Sequence, residues 1–89
     1  MDESIKQYEV LIQSIEIQLE DNIESCVSAL KIIKRHSSKG AHRNRLVCIK
    51  SKELLKQIDK FNYGDCFPLY CSILVLLEIY KKSPRIVGL

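Results

Sequence analysis

Apolar positions recur at helical spacing from the beginning of the chain. Ile5, Tyr8, Ile12, Ile15 and Leu19 stand three and four residues apart, which draws a single stripe along a helix. Val10, Leu11 and Ile17 widen that stripe beyond a narrow coiled-coil edge. Asp21, followed three residues later by Glu24, has the form of a capping box and predicts the start of a second helix. The alternative is one uninterrupted helix to about His36, because the frame continues through Cys26, Ala29 and Ile33; the capping signal favours a break. The second helix then turns Ile23, Val27, Leu30 and Ile33 inward, with Cys26 beside them. Asp21 and Glu24 at its start and Lys34, Arg35 and His36 in its last turn complement the helix dipole.

Ser37-Ser38-Lys39-Gly40 reads as the connection, with Gly40 able to take the left-handed conformation that turns a chain. A third helix is expected from about Ala41 to Phe61. Its inner stripe is Val47, Leu54, Ile58 and Phe61, supported by Leu46, Ile49 and Leu55, and Asn62-Tyr63-Gly64-Asp65 stops it. Asp65 is a good N-cap for a fourth helix, and Pro68 falls in its first turn, where a missing N–H does no harm. That helix, Cys66 to about Lys82, is the most apolar: Leu69, Ile73, Leu74, Val75, Leu76, Leu77, Ile79 and Tyr80 cover nearly its whole circumference. Lys81 and Lys82 close it and Pro84 confirms the stop.

The pattern therefore predicts an all-α fold, a compact antiparallel bundle of about four helices, or three if the first two are continuous. The 89 residues make one domain, 1–89. Three glycines and two prolines are too few for the many turns of an all-β fold. A chain this short buries only about 60–65% of the surface exposed when unfolded, which leaves little stability to offset a strained active site. The fourth helix, apolar nearly all round, is expected at the centre. Complete cover for such a helix is hard to find in a small bundle, so part of it is expected to meet a partner. It is not a membrane span, which needs about 20 apolar residues, since Pro68, Ser72 and Glu78 interrupt an already short run.

Charge changes this picture, because it is sorted along the chain. Met1–Glu24 holds seven acids against one base, and Ser25–Lys52 holds eight bases and no acid. The segment charges of −6, +8 and, for the remainder, +1 lie behind a modest formal net charge of +3. Lys31, Lys34, Arg35, Lys39, Arg43, Arg45 and Lys50 form a candidate basic face for an anionic partner, a polyphosphate or the chain's own acidic first helix. A helix N-terminus near Ala41 adds backbone N–H groups that favour phosphate. Against a dedicated nucleic-acid binder stand the pI of about 8.7 and the lack of any aromatic residue between Tyr8 and Phe61 on which bases would stack.

Catalytic chemistry finds no footing. Ser37 and Ser38 adjoin His36 on a turn with no acid to orient the imidazole, and Ser38-Lys39-Gly40 lacks the glycine spacing of a phosphate loop. Cys66 and Cys71 have four residues between them, and His36 and His42 have five, but no second close cysteine pair completes a zinc pattern. Cys26, Cys48, Cys66 and Cys71 are expected as free core thiols in a reducing compartment. The N-terminus lacks the basic and apolar regions of a secretory signal, so an intracellular location, cytoplasm or nucleus, is expected. The terminal Ile86-Val87-Gly88-Leu89 has a faint likeness to carboxylate-capture peptides that chance explains.

The expected function is a non-enzymatic interaction module, without cofactor or metal, a small subunit docking on a larger protein or ribonucleoprotein assembly. The fourth helix and the seam Ile5, Tyr8, Ile12, Ile15 and Leu19 would supply apolar contact, and the basic face would steer docking. A nucleic-acid-binding protein gripping phosphates with Lys31–Lys50 is the second expectation. A self-associating structural protein, a homodimer through the first-helix seam, is the third.

Overall fold

A computed structural model describes residues 2–40, 43–61 and 65–82, with side chains from Lys6 onward. Among the described residues the chain forms α1 (Asp2–Gln18), α2 (Ile23–Ser38), α3 (Arg45–Lys56) and α4 (Phe67–Lys81), with a 3₁₀ turn at Ile58–Lys60 and no strand. The fold is an all-α bundle of four helices.

The break after the first helix is present, but its cap is not the expected one. Asn22, in extended conformation, caps α2: its side-chain oxygen accepts the Ser25 N–H at 2.8 Å, and its amide donates to the Glu20 carboxylate at 2.9 Å. Such a cap contributes about 1 kcal/mol. Asp21 is engaged elsewhere, its Oδ1 accepting the Cys66 thiol at 3.0 Å across to the start of α4. The third helix is also shorter than its apolar pattern implied. It starts at Arg45, where the Asn44 side chain accepts the Val47 N–H at 3.1 Å, and ends at Lys56 before the 3₁₀ turn. Gly40 does take the left-handed region, at φ +93°, and the Asn44 N–H then closes on the Ser37 carbonyl at 2.9 Å. Cys66, not Asp65, occupies the N-cap of α4 and makes no side-chain cap, while Pro68 lies in the first turn. The expected stops at Asn62-Tyr63-Gly64 and Pro84, together with Ala41, His42 and the Ile86–Leu89 tail, lie outside the described residues.

The core is one cluster. α1 gives Tyr8, Ile12, Ile15 and Leu19, α2 gives Cys26, Ala29, Leu30 and Ile33, and α4 gives Leu69, Ile73, Leu76, Leu77 and Tyr80. α3 adds only Val47. It packs most extensively on α2, where the buried small side chains Ser37, Cys48 and Ser51 leave room for a close approach. The two buried hydroxyls are satisfied within their own helices, Ser37 donating to the Lys34 carbonyl at 3.3 Å and Ser51 to the Val47 carbonyl at 2.8 Å. α4 touches all three other helices and is the central element.

α1 leans on α4 more than on its sequence neighbour α2. The Tyr8 hydroxyl donates to the Tyr80 backbone carbonyl, and the two rings meet edge-to-face with centroids 4.9 Å apart. Burial pushes the Tyr80 phenol up to about 12 and the Tyr8 phenol higher still. The Lys81 ammonium bridges α1 and α4 at 3.6 Å from Glu16, while also reaching Glu78 at 3.1 Å. The smallest extent of the molecule is 16 Å. Helices pack with axes about 8–10 Å apart, so this thickness fits two layers and no third. An apolar helix in such a slab keeps an outward face.

Candidate docking surfaces

The buried arc of each helix decides what is left for a partner. On α1 the four described members of the candidate seam, Tyr8, Ile12, Ile15 and Leu19, all enter the core, and Ile5 lies outside the described side chains. These four described members are thus a packing face of the chain's own core. Burial of one such side chain stabilises by about 1.5–3 kcal/mol, which is the physical reason a small chain uses its best stripe internally. What α1 leaves outside is Val10 and Ile17, 62% and 82% exposed and two turns apart on the opposite side.

α3 buries a narrow arc, Val47, Cys48 and Ser51. Leu46 and Ile49, expected to support the inner stripe, therefore point outward, Leu46 at 55% exposure. On α4 the residues at spacings of three and four, Ser72, Val75 and Ile79, face away from the core, with Val75 60% exposed. The two outward faces meet in a groove of about 410 Å³. Leu46, Lys50, Glu53, Leu54 and Gln57 line it from α3, and Ser72, Val75, Leu76 and Ile79 from α4. A second, more polar notch of about 270 Å³ lies between α1 and α2, over Ile15, Leu19, Ala29 and Ile32.

The candidate basic residues are distributed over α2, the connection and α3. Lys31 and Arg35 are exposed one turn apart on α2, with half-buried Lys34 beside them, and Lys39 and Arg43 are exposed on the connection. Arg45 points outward from α3 together with Lys52 and Lys56, at spacings of seven and four. Lys50 lies round the helix from these three, on the wall of the groove. Lys52 and Lys56 were outside the candidate set, although their helical register with Arg45 was legible. Among the described residues, none of Lys31, Lys34, Arg35, Lys39, Arg43, Arg45 and Lys50 pairs with a carboxylate; the ion pairs there are those of Lys81. Among the described residues, the acids of the first helix therefore do not pair directly with them. The helix N-terminus expected near Ala41 lies at Arg45, and the Asn44 cap occupies the Val47 N–H.

Several of the groups considered for chemistry, Ser37, Ser38, Cys26 and Cys66, make contacts within the fold. The Ser38 hydroxyl donates to the Arg35 carbonyl at 2.8 Å and Ser37 is buried, so neither is poised against the exposed His36. All four cysteines are free thiols, three buried and Cys71 half-buried. The hydrogen bond to Asp21, then burial, pushes the Cys66 thiol up to about 11. Burial first, and the Asp21 carboxylate second, also raises Cys26, whose thiol lies 3.7 Å from the Glu20 carbonyl. Raised thiols stay protonated at neutral pH and are poor nucleophiles. Among the described residues, no three His, Cys, Asp or Glu side chains gather as a metal site, and no helix is long and apolar enough to cross a membrane. No protein-family model matches the chain, and neither a curated protein nor a solved structure is found similar to it.

Proposed function

We propose that this chain is a non-enzymatic helical interaction module, a small subunit that docks on a larger protein or ribonucleoprotein assembly. The observation that carries the reading is the α3–α4 groove, where Leu46 and Val75 stay more than half exposed beside Lys50. Outward aliphatic side chains, Leu46 on one wall and Val75 and Ile79 at helical spacing on the other, suit the apolar stripe of an incoming helix. The exposed bases of α2 and α3 steer an acidic partner and set its orientation, with less effect on the final affinity. Purification from the native source in mild salt, with and without nuclease, tests this. A protein partner that remains after nuclease treatment is the expected result, and loss of every partner on nuclease treatment contradicts it.

The second reading is phosphate gripping by Lys31, Lys34, Arg35, Lys39, Arg43 and Arg45. It is favoured by the absence, among the described residues, of carboxylate partners for these groups. It predicts retention on a polyanion column that falls steeply with salt and disappears when Arg35, Arg43 and Arg45 are replaced together. Retention unchanged by the triple replacement rules it out.

A further inference from the structure

Two surfaces of the molecule are complementary to each other and lie on different helices. α1 carries the outward apolar pair Val10 and Ile17. By helical register, Glu9 and Glu16 run along one edge of that pair, Glu16 half-buried and also 3.6 Å from Lys81 of α4, and Glu20 follows just beyond the helix. The α3–α4 groove carries the outward apolar residues Leu46, Val75 and Ile79, with Lys50 on its wall and Arg45, Lys52 and Lys56 on the adjoining face of α3. Their lengths agree. Val10 to Ile17 is seven residues, about 10.5 Å along a helix, and so is Ser72 to Ile79 on the groove wall. The minority charges are opposite too, Lys6 on the α1 face and Glu53 in the groove. Within one molecule the two surfaces are not joined: α1 is held on α4 by its other side, through Tyr8 and Ile12.

The geometry points to a second copy of this chain as an occupant of the groove, its α1 laid by the Val10–Ile17 face against Leu46, Val75 and Ile79. This rests on the reading of the groove as a docking surface and names one partner for it. The contact is heterologous, one surface of each copy meeting a different surface of the next, so it propagates into a ring or an open chain instead of stopping at a two-fold dimer. The larger assembly then contains the chain as a repeated subunit. The charge sorted along the sequence, −6 in the first segment and +8 in the second, acts between copies. The largely exposed Val10 and Ile17 become half of an interface.

The test is the solution mass of the full chain by sedimentation equilibrium at low salt, over a wide concentration range. The native chain is expected to rise from the monomer mass of 10.3 kDa past twice that value, and to fall back when salt of about 1 M shortens the screening length to about 3 Å. Ile17→Asp removes the inserting face and Val75→Asp the groove. Each variant alone is expected to remain monomeric, with unchanged helicity by circular dichroism. An equimolar mixture of the two regains one intact contact and is expected to reach twice the monomer mass and no more. A native chain that stays monomeric up to about 1 mM, a dissociation constant already at the weak end of specific binding, overturns the inference. So does a mixture no heavier than its components, or association indifferent to Ile17→Asp. If the native chain is monomeric while Val75→Asp still loses a natural partner, self-association falls and the groove reading stands.

Discussion

The inner stripe of α1 and the outer stripe of α4 both carry aliphatic side chains at helical spacing and have opposite fates. Tyr8, Ile12, Ile15 and Leu19 are buried, whereas Val75 and Ile79 on α4 are open to solvent with Leu46 and Ile49 of α3. The difference does not come from hydrophobicity but from the number of layers. In a slab 16 Å thick each helix has one neighbouring layer, so an amphipathic helix such as α1 satisfies its main apolar arc and a helix apolar nearly all round, such as α4, satisfies only part of its own. An apolar surplus on the central helix of a two-layer bundle is where a partner is to be sought.

The comparison breaks most visibly under truncation at matched positions. Ile12→Ala empties a fully buried site on the inner stripe and is expected to cost about 2–5 kcal/mol, a large part of the stability of so small a domain. Val75→Ala on the outer stripe is expected within about 0.5 kcal/mol of the native chain. Urea denaturation with an unchanged slope measures both. Equal losses at the two positions would mean that the outer stripe is also part of the fold.

A smaller change sharpens the account of how α1 is placed. Asn22→Ala removes the observed α2 cap and is expected to cost about 1 kcal/mol. Asp21→Ala removes the hydrogen bond to Cys66 while leaving that cap intact, and is expected to cost less in the same denaturation experiment. The reverse order would restore Asp21 as the capping residue.

At ordinary pH the last prediction has no effect. The folded-state values of Cys66, about 11 against an ordinary 9.0, and Tyr80, about 12 against an ordinary 10.0, are raised, and Tyr8 is raised further. Groups with raised values bind their protons more tightly when folded, so their contribution is complete below about pH 9 and is lost as pH climbs through the folded values. Stability is therefore expected to be insensitive to these groups below about pH 9 and to fall above it, with α1 loosening from α4 as the Tyr8–Tyr80 contact ionises. Tyr8→Phe should blunt the fall above about pH 10. A fall of the same steepness in that variant would place the alkaline sensitivity elsewhere.

Most of the fold was legible in the sequence, because helix number, the stripe Tyr8, Ile12, Ile15 and Leu19, the inward Leu30 and Ile33 of α2, and the left-handed Gly40 follow from local spacing and backbone chemistry; Val27 of α2, expected inward, is only half-buried. The caps were misplaced for a tertiary reason. Asp21 and Glu24 satisfy a local rule, but the Asp21 carboxylate is claimed by Cys66, 45 residues away, and Asn22 takes over. α3 was overextended because Ile58 and Phe61 continue its apolar spacing although the 3₁₀ turn, not the helix, brings them to the core, and Leu46 and Ile49 resemble core residues until the narrow buried arc at Val47, Cys48 and Ser51 is known. The docking surfaces were half legible. The surplus on α4 is visible as a helix apolar nearly all round, while Tyr8, Ile12, Ile15 and Leu19 of the seam are taken up by the chain's own core, since spacing alone does not distinguish a core face from an interface. Lys50 was grouped with the other bases by proximity in sequence, and only the position of α4 shows it to be a groove residue.

The central claim is that the α3–α4 groove is a docking surface, and the most direct measurement is native purification of the Val75→Asp chain beside the unaltered one, after nuclease treatment. The account predicts equal folding of the two chains by circular dichroism and loss from the variant of the protein partner that the native chain retains. A variant that keeps the same partner in the same amount would contradict it.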